Sequence, residues 1–372
     1  MLASACEMLR CALHDNIHLV YLLVGRLCMK KLLLITVLGL GASAPALAQH
    51  KWTIAKQELL FKAPPFKQCH ASTLVEVAKD KFLVACFGGT QESKPDVSIW
   101  LATVDKQGVS TPQRVADGVV KDTLRYPTWN PVLFKVRGGD LLLFYKVGPN
   151  PREWWGMVKS SADGGRTWSG ARRLPPGILG PIKNKPVQLA NGTILAPSSV
   201  EENSGRWRAH LEKSTDLGKT WQFIPMDTTS ELDVIQPSIL TYKDGRLQVL
   251  CRSKQGRIAQ AWSTDGGANW GKLSQTNLLN PNSGTDAVTL KNGTQLLVYN
   301  PALPGKDWYN GRGKLRVAES ADGQNWHDIA TLEDGSTEEY SYPAIIEGQN
   351  GQVHITYTYN RQNIKHVILQ VK

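Results

Sequence analysis

Six residues of different chemistry, His70, Asn130, Lys185, Gln236, Asp286 and Tyr342, stand at equivalent points along the chain, each just ahead of a short apolar run. Together they offer an imidazole, two amides, an ammonium, a carboxylate and a phenol. The runs behind them are alike, as in Pro131-Val-Leu-Phe, Pro237-Ser-Ile-Leu and Pro343-Ala-Ile-Ile. A purely structural repeat has little need for such variety, so chemistry is expected at this position. Further basic candidates are Lys146, Lys183, Arg252 and Arg312. Several cations converging on one point favour a carboxylate or sulfate ligand, which arginine grips through paired N–H donors. His70 and Tyr342 add groups able to exchange a proton or act as a nucleophile. No Cys/His metal spacing and no phosphate-binding glycine loop occurs, so neither a metal nor a cofactor is implied.

The elements that position these residues repeat. An apolar run, a turn and a second apolar run recur six times, the turn carrying glycine in five copies, as in Pro131–Phe134 with Gly139–Tyr145 and Pro237–Leu240 with Gly245–Leu250, and lacking it in the first, Ser72–Val75 with Phe82–Ala85. Four short strands and their turns fill each unit, and radial repetition of such sheets makes a propeller. The fold class expected is all-β, a six-bladed β-propeller. The first strand of each blade starts near the axis, so the six residues above line one funnel. Closure of the ring is expected from Trp52–Phe61, added beside Ile364–Val371. A second motif, Ser-x-Asp-x-Gly-x-x-Trp, appears at Ser161–Trp168, Ser214–Trp221 and Ser263–Trp270, with a shortened copy at Ser320–Trp326. Aspartate bonding nearby amides, glycine at positive φ and a packed tryptophan suit a hairpin turn.

Composition agrees. The chain has 372 residues, 41% hydrophobic, with 33 glycines, 20 prolines and 12 tryptophans, which excludes disordered, collagen-like and multi-span membrane classes. Met29-Lys30-Lys31, the apolar run Leu32–Leu40 and Ala46-Leu47-Ala48 read as a signal peptide cut after Ala48. Residues 1–28 match no targeting pattern and read as a start placed too far upstream. The mature chain, 49–372, is expected to be one propeller domain, periplasmic or secreted, monomeric and without a membrane span. Net charge is +11, yet no Lys/Arg run of nucleic-acid type occurs, so the partner expected is anionic and is not nucleic acid. Cys69, Cys86 and Cys251 each sit in an apolar strand-like segment and read as buried thiols.

The Asp-boxes and six blades resemble the sialidase (neuraminidase) superfamily, in its BNR/Asp-box-repeat branch, over nearly the whole mature chain. The resemblance implies that the box residues Asp163, Asp216 and Asp265 are structural, on the rim away from the active site. It also implies roles at the hub. Sialidases grip a substrate carboxylate with three arginines; the second and third look like Arg252 and Arg312. The first belongs to an Arg-Ile-Pro motif, where this chain has His70-Ala71-Ser72. The family's tyrosine nucleophile looks like Tyr342, with Tyr340 a rival two residues away. The glutamate that activates it falls at Gln236, which cannot act as a base, leaving Glu339, His70 or a phenol pKa lowered by nearby cations for that task. The family's aspartate acid looks like Asp96, with Glu92 as an alternative, and burial is expected to raise its pKa.

These departures point away from sialic acid alone and towards acidic sugars more broadly, including uronic and other ulosonic acids. The reading is an exo-acting glycoside hydrolase on an anionic glycan, with a cationic pocket centred on Arg252, Arg312 and Lys185. Two alternatives stand beside it: a non-catalytic carbohydrate-binding propeller, and a propeller-type polysaccharide lyase in which His70 or Tyr342 abstracts a proton.

Overall fold

The structure is a computed structural model that describes residues 51–372. The expected signal peptide and the segment ahead of it lie outside the described residues. Within them every regular element is a strand, and six antiparallel sheets of at least four strands succeed one another along the chain. The six-bladed propeller is therefore observed. Blade 1 opens with Gln68–Ala78, blade 2 with Thr128–Lys135 and blade 3 with Val187–Gln188. Blades 4, 5 and 6 open with Val234–Thr241, Asp286–Thr289 and Tyr340–Glu347. Trp52–Leu59 pairs antiparallel with Asn363–Val371, so the amino-terminal strand completes the last blade as expected.

The glycine-turn repeat folds this way because its second strand is covered on both faces. Leu141–Val147 and Leu247–Ser253 are buried at every position, as continuous apolar runs demand. Alternate side chains of one strand then enter different seams. Leu141, Leu143 and Tyr145 pack with Leu83, Ala85 and Phe87 of blade 1, whereas Leu142 and Phe144 pack with Ile194 of blade 3. Each of the six seams holds one such cluster. Cys69, Cys86 and Cys251 are free thiols buried in these seams.

The Asp-boxes follow the third strand of their blades, at the end opposite the start of the first strand. In each, the serine hydroxyl and aspartate carboxylate knit the turn. Asp216 Oδ1 accepts from the amides of Lys219 and Thr220 at 3.1 and 2.9 Å, and Oδ2 accepts from the Thr220 hydroxyl at 2.6 Å. Those bonds, led by the Thr220 hydroxyl, lower the Asp216 carboxyl to about 2. Gly165 shows why glycine is required: its φ is 88°, and a Cβ would stand 2.3 Å from Leu83 Cδ1.

Candidate active site

At the mouth of the hub the inner strands carry a shared backbone device. In blades 1, 2, 4 and 6 two residues of the first strand oppose one of the second: Ala71-Ser72, Asn130-Pro131, Gln236-Pro237 and Tyr342-Pro343. The first residue of each pair has positive φ, at 55°, 36°, 55° and 54° respectively, and Lys183 of blade 3 joins them at 69°. These are β-bulges, and their left-handed residue is ordinarily glycine. Holding other side chains there costs about 1 kcal/mol or more each, a cost typical of sites that must aim a side chain. The proline of the repeat fits because a bulge leaves that ladder position without need of an N–H.

Three cations lie 5.7 to 6.0 Å from the Tyr342 ring centre, and a fourth, Arg361, acts on the His70 beside it. Arg252, from the second strand of blade 4, donates Nη1 to Tyr342 Oη at 2.6 Å and to Gln236 Oε1 at 3.5 Å. Its Nε donates to Asn282 Oδ1 at 2.8 Å. The Arg312 guanidinium lies 6.0 Å from the Tyr342 ring centre, and its Nη2 donates to the Asn282 carbonyl at 3.1 Å. Lys183 Nζ lies 5.9 Å from the same ring and donates to Asn184 Oδ1, the Thr285 carbonyl and the Pro343 carbonyl at 2.8, 2.7 and 2.6 Å. Burial pulls the Lys183 ammonium down to about 7, with Asp286 opposing. His70 is 2% exposed, its ring 4.1 Å from that of Tyr342. Burial first, then the charges of Arg361, Arg312, Arg252 and Lys183, holds its imidazole well below the usual range, so it is neutral. Its Nδ1 is buried without a hydrogen-bond partner.

Arg361 is the cation that sequence reasoning missed. It sits in the tight Asn360-Arg361 turn before the last strand, both residues at positive φ, and its carbonyl accepts from the Cys69 amide at 2.8 Å. The turn thus docks beside His70 and brings a guanidinium to blade 1. Arg361 donates Nε to Glu339 at 2.7 Å and Nη1 to Glu92, while Arg312 reaches Glu339 at 3.0 Å. Trp308 lies under both guanidinium groups, 5.0 Å from Arg312 and 4.9 Å from Arg361. The local signal was a two-residue hairpin turn; nothing in it announces a partner in blade 1.

Several expected residues have other surroundings. Lys185, just ahead of the Val187–Gln188 strand, and Asp286, the first residue of its own, pair with each other at 2.9 Å, and Asp286 also accepts from the Ile345 amide and Ser238. Lys185 is therefore neutralised, and the charge centre comprises Arg252, Arg312, Arg361 and Lys183. In blade 1 the left-handed residue is Ala71, one past His70. Asn130 occupies its bulge in blade 2, buried at the hub mouth. Glu339 is a clamp for two arginines and Ser341 rather than a partner of the Tyr342 hydroxyl. Burial alone would raise its carboxyl, but the Arg361 charge, first among the opposing effects, holds it low. Tyr340 packs into the cluster between blades 5 and 6, against Tyr359. Lys146 is fully buried between blades 2 and 3, donating to the Pro181 carbonyl at 2.7 Å. Asp96 is exposed and accepts from the Thr90 amide at 2.7 Å; slight burial is outweighed by the Thr90 bonds, and its carboxyl is lowered, not raised. Among the described residues Glu201 alone has a carboxyl pushed above its ordinary value, by burial, with the Arg252 charge opposing.

The family model described as a BNR repeat-like domain matches residues 80–355. No curated protein matches the sequence. A solved protein of unknown function from Dyadobacter fermentans superposes with a TM-score of 0.70 at 17% identity, over 87% of this chain and 100% of that one. A Hadza microbial sialidase gives 0.67 at 16%, over 82% of this chain and 66% of its own. Trypanosoma rangeli sialidase gives 0.63 at 17%, over 82% and 55%. The chain thus spans a little over half of the trypanosomal enzyme, and at these identities the likeness concerns fold. With that fold and a family match across most of its length, the chain belongs to the BNR repeat-like domain family and is built on the six-bladed sialidase scaffold.

Proposed function

We propose that the protein is a sialidase-like glycoside hydrolase that releases a terminal acidic sugar from a glycan. The observation that carries this is the Arg252 guanidinium, 2.6 Å from the Tyr342 hydroxyl, among three further cations. A carboxylate on the sugar would be drawn to that cluster. A phenol suits attack there, because a carboxylate nucleophile would repel such a substrate. The Arg252 donor stabilises negative charge developing on the phenol oxygen, whose proton passes to solvent as attack proceeds, since the buried, cation-flanked His70 is a poor base. Tyr342 Oη bonds to the anomeric carbon as the leaving oxygen departs with a proton from an acid. Water then attacks that carbon, giving a proton to the carboxylate that the acid became in the first step, and Tyr342 leaves as a phenolate held by Arg252. Asp96 stands at the family position of the acid, but its lowered carboxyl does not suit the role; Glu201, raised by burial, has the direction the role needs. The acidic sugar is a sialic, other ulosonic or uronic acid, and the protein acts as a monomer after export.

Turnover of aryl glycosides of sialic acid and of glucuronic acid tests this, comparing the parent with Tyr342→Phe. Loss of turnover in the variant supports the reading; activity equal to the parent overturns it. A carbohydrate-binding module is the second reading. It is favoured by the Tyr342 hydroxyl, whose side-chain hydrogen-bond partner is a cation and not a base. Binding of the sugars without hydrolysis would establish it.

A further inference from the structure

The seam between blades 1 and 2 is open along its outer half. Two clefts, of 560 and 480 Å³, meet there and share Arg114, Val115 and Lys159. One reaches up to Val147 and Trp155, at the end of the blade nearer the hub mouth; the other reaches down to Gly164 and Trp168 of the Asp-box. They lie end to end along the seam, with the Lys159 side chain bridging to Val115 where they meet.

Its charge is one-sided. Lys81, Arg114, Lys159, Arg166 and Arg173 line it against a single carboxylate, Asp117. Among the described residues none of these five cations is in an ion pair, whereas the hub arginines Arg312 and Arg361 both are. Asp117 accepts from the Val119 amide at 3.2 Å, and Lys159 Nζ donates across the groove to the Val115 carbonyl at 2.9 Å. Unpaired cations lining one groove make a field that attracts a polyanion.

Its aromatic residues are set for a ligand as well. Arg173 lies 4.7 Å over the Trp155 ring, an arginine–indole surface suited to a sugar ring bearing a carboxylate. Trp221, Trp270 and Trp326 each donate their indole N–H to a glycine carbonyl of their own box, at 3.1, 3.2 and 3.0 Å. The equivalent N–H of Trp168 is buried with no partner, and Trp168 is the box tryptophan that lines this groove. A buried donor left open where its counterparts are closed calls for an acceptor from outside.

We infer that this groove is a second carbohydrate site, separate from the hub, which takes an internal stretch of an acidic polysaccharide. The cations meet carboxylates spaced along the chain, Trp155 holds the Arg173 guanidinium in place for one of them, and Trp168 donates to a sugar oxygen. The inference does not depend on the hub being catalytic.

Calorimetric titration of the protein with polygalacturonate, dextran and inorganic polyphosphate tests it. Polygalacturonate is expected to bind and dextran not to. The double variant Arg114→Glu, Arg173→Glu is expected to weaken polygalacturonate binding at least tenfold, and Trp155→Ala about fivefold. The hub variant Arg252→Ala should leave this binding within twofold of the parent, even if it abolishes turnover. Should the double variant fail to fold, Arg114→Ala and Trp155→Ala, both on the groove surface, carry the test. No binding of polygalacturonate to the parent overturns the inference. So does polyphosphate binding equally well with no loss in Trp155→Ala, or a loss caused by Arg252→Ala alone.

Discussion

The two ends of the propeller use charged side chains in opposite ways. At the Asp-box end each aspartate is bonded within its own turn, from Asp163 with Thr167 to Asp322 with Asn325, and the pattern repeats with little variation. At the hub end the blades contribute different sets of side chains, and partners come from other blades: Arg252 with Tyr342, Arg312 with Glu339, Arg361 with Glu92. Local bonds that recur in blade after blade hold turns and need no ligand. Cations gathered from four blades, beside a neutral imidazole with an open nitrogen, are arranged for something the protein does not itself contain. Repetition marks structure here, and its breakdown marks the site.

That contrast breaks most directly at Tyr342. Tyr342→Phe removes the hydroxyl that Arg252 engages, and turnover of an aryl glycoside of an acidic sugar should fall at least about 100-fold. Single-turnover kinetics with an activated leaving group will show whether the lost step is the nucleophilic one; undiminished rates would return Tyr342 to a packing role. A second effect concerns the guanidinium geometry. Arg252→Lys keeps the charge but loses the fork shared between Tyr342 and Asn282, so calorimetric affinity for the acidic sugar should drop about tenfold. Unchanged affinity would mean that charge alone matters at the hub.

A smaller effect should appear with pH. The Lys183 ammonium titrates near 7, far below its unfolded value of about 10.4, so the unfolded chain holds more protons between those values. Stability should rise with pH across that window, as the buried ammonium loses a charge it is costly to desolvate, while affinity for an anionic sugar should fall. Lys146, also lowered to about 7 by burial, contributes the same slope to stability but lies outside the hub. Lys183→Met should therefore flatten the affinity profile and only part of the stability profile; denaturant titrations and calorimetry from pH 6 to 10 separate the two. If the affinity profile survives the substitution, Lys183 is not the group responsible.

The smallest effect is expected at the other end. Asp216→Ala leaves the Lys219 and Thr220 amides to water and should destabilise by about 1 kcal/mol, with sugar affinity unchanged. Because the folded carboxyl is lowered to about 2, its contribution is present above the unfolded value near 4 and is lost as pH falls towards 2. Thermal melts of parent and variant at pH 7 and pH 2 should converge at the lower pH. A loss of sugar affinity in Asp216→Ala would undo the separation of the two ends.

Much of the scaffold was legible because its determinants are close together in the chain. A blade is specified by apolar runs, glycine turns and an Asp-box within about fifty residues, and each box bonds only to itself. Six phased copies then imply the ring and a common hub position. Asn130, Gln236 and Tyr342 accordingly fall on the bulged residues at the hub mouth, and Trp52–Leu59 pairs with the closing strand. Tyr340 and Tyr342 show the limit of the pattern. Strand alternation sets both on one face, yet the bulge at Tyr342-Pro343 re-aims the chain, leaving one ring in the core and the other in the pocket.

What remained hidden depends on ring closure. Arg361 reaches Glu92, 269 residues away, only once the last hairpin docks against blade 1. Lys185 meets Asp286 across the hub and ceases to be a free cation, Glu339 is taken by two arginines, and Asp96 turns out exposed with its proton affinity lowered. Repeat, blade number and hub position are properties of neighbouring residues, so they can be read along the chain. Partnership and charge state arise from burial and from charges contributed by other blades, and they exist only after the ring has closed.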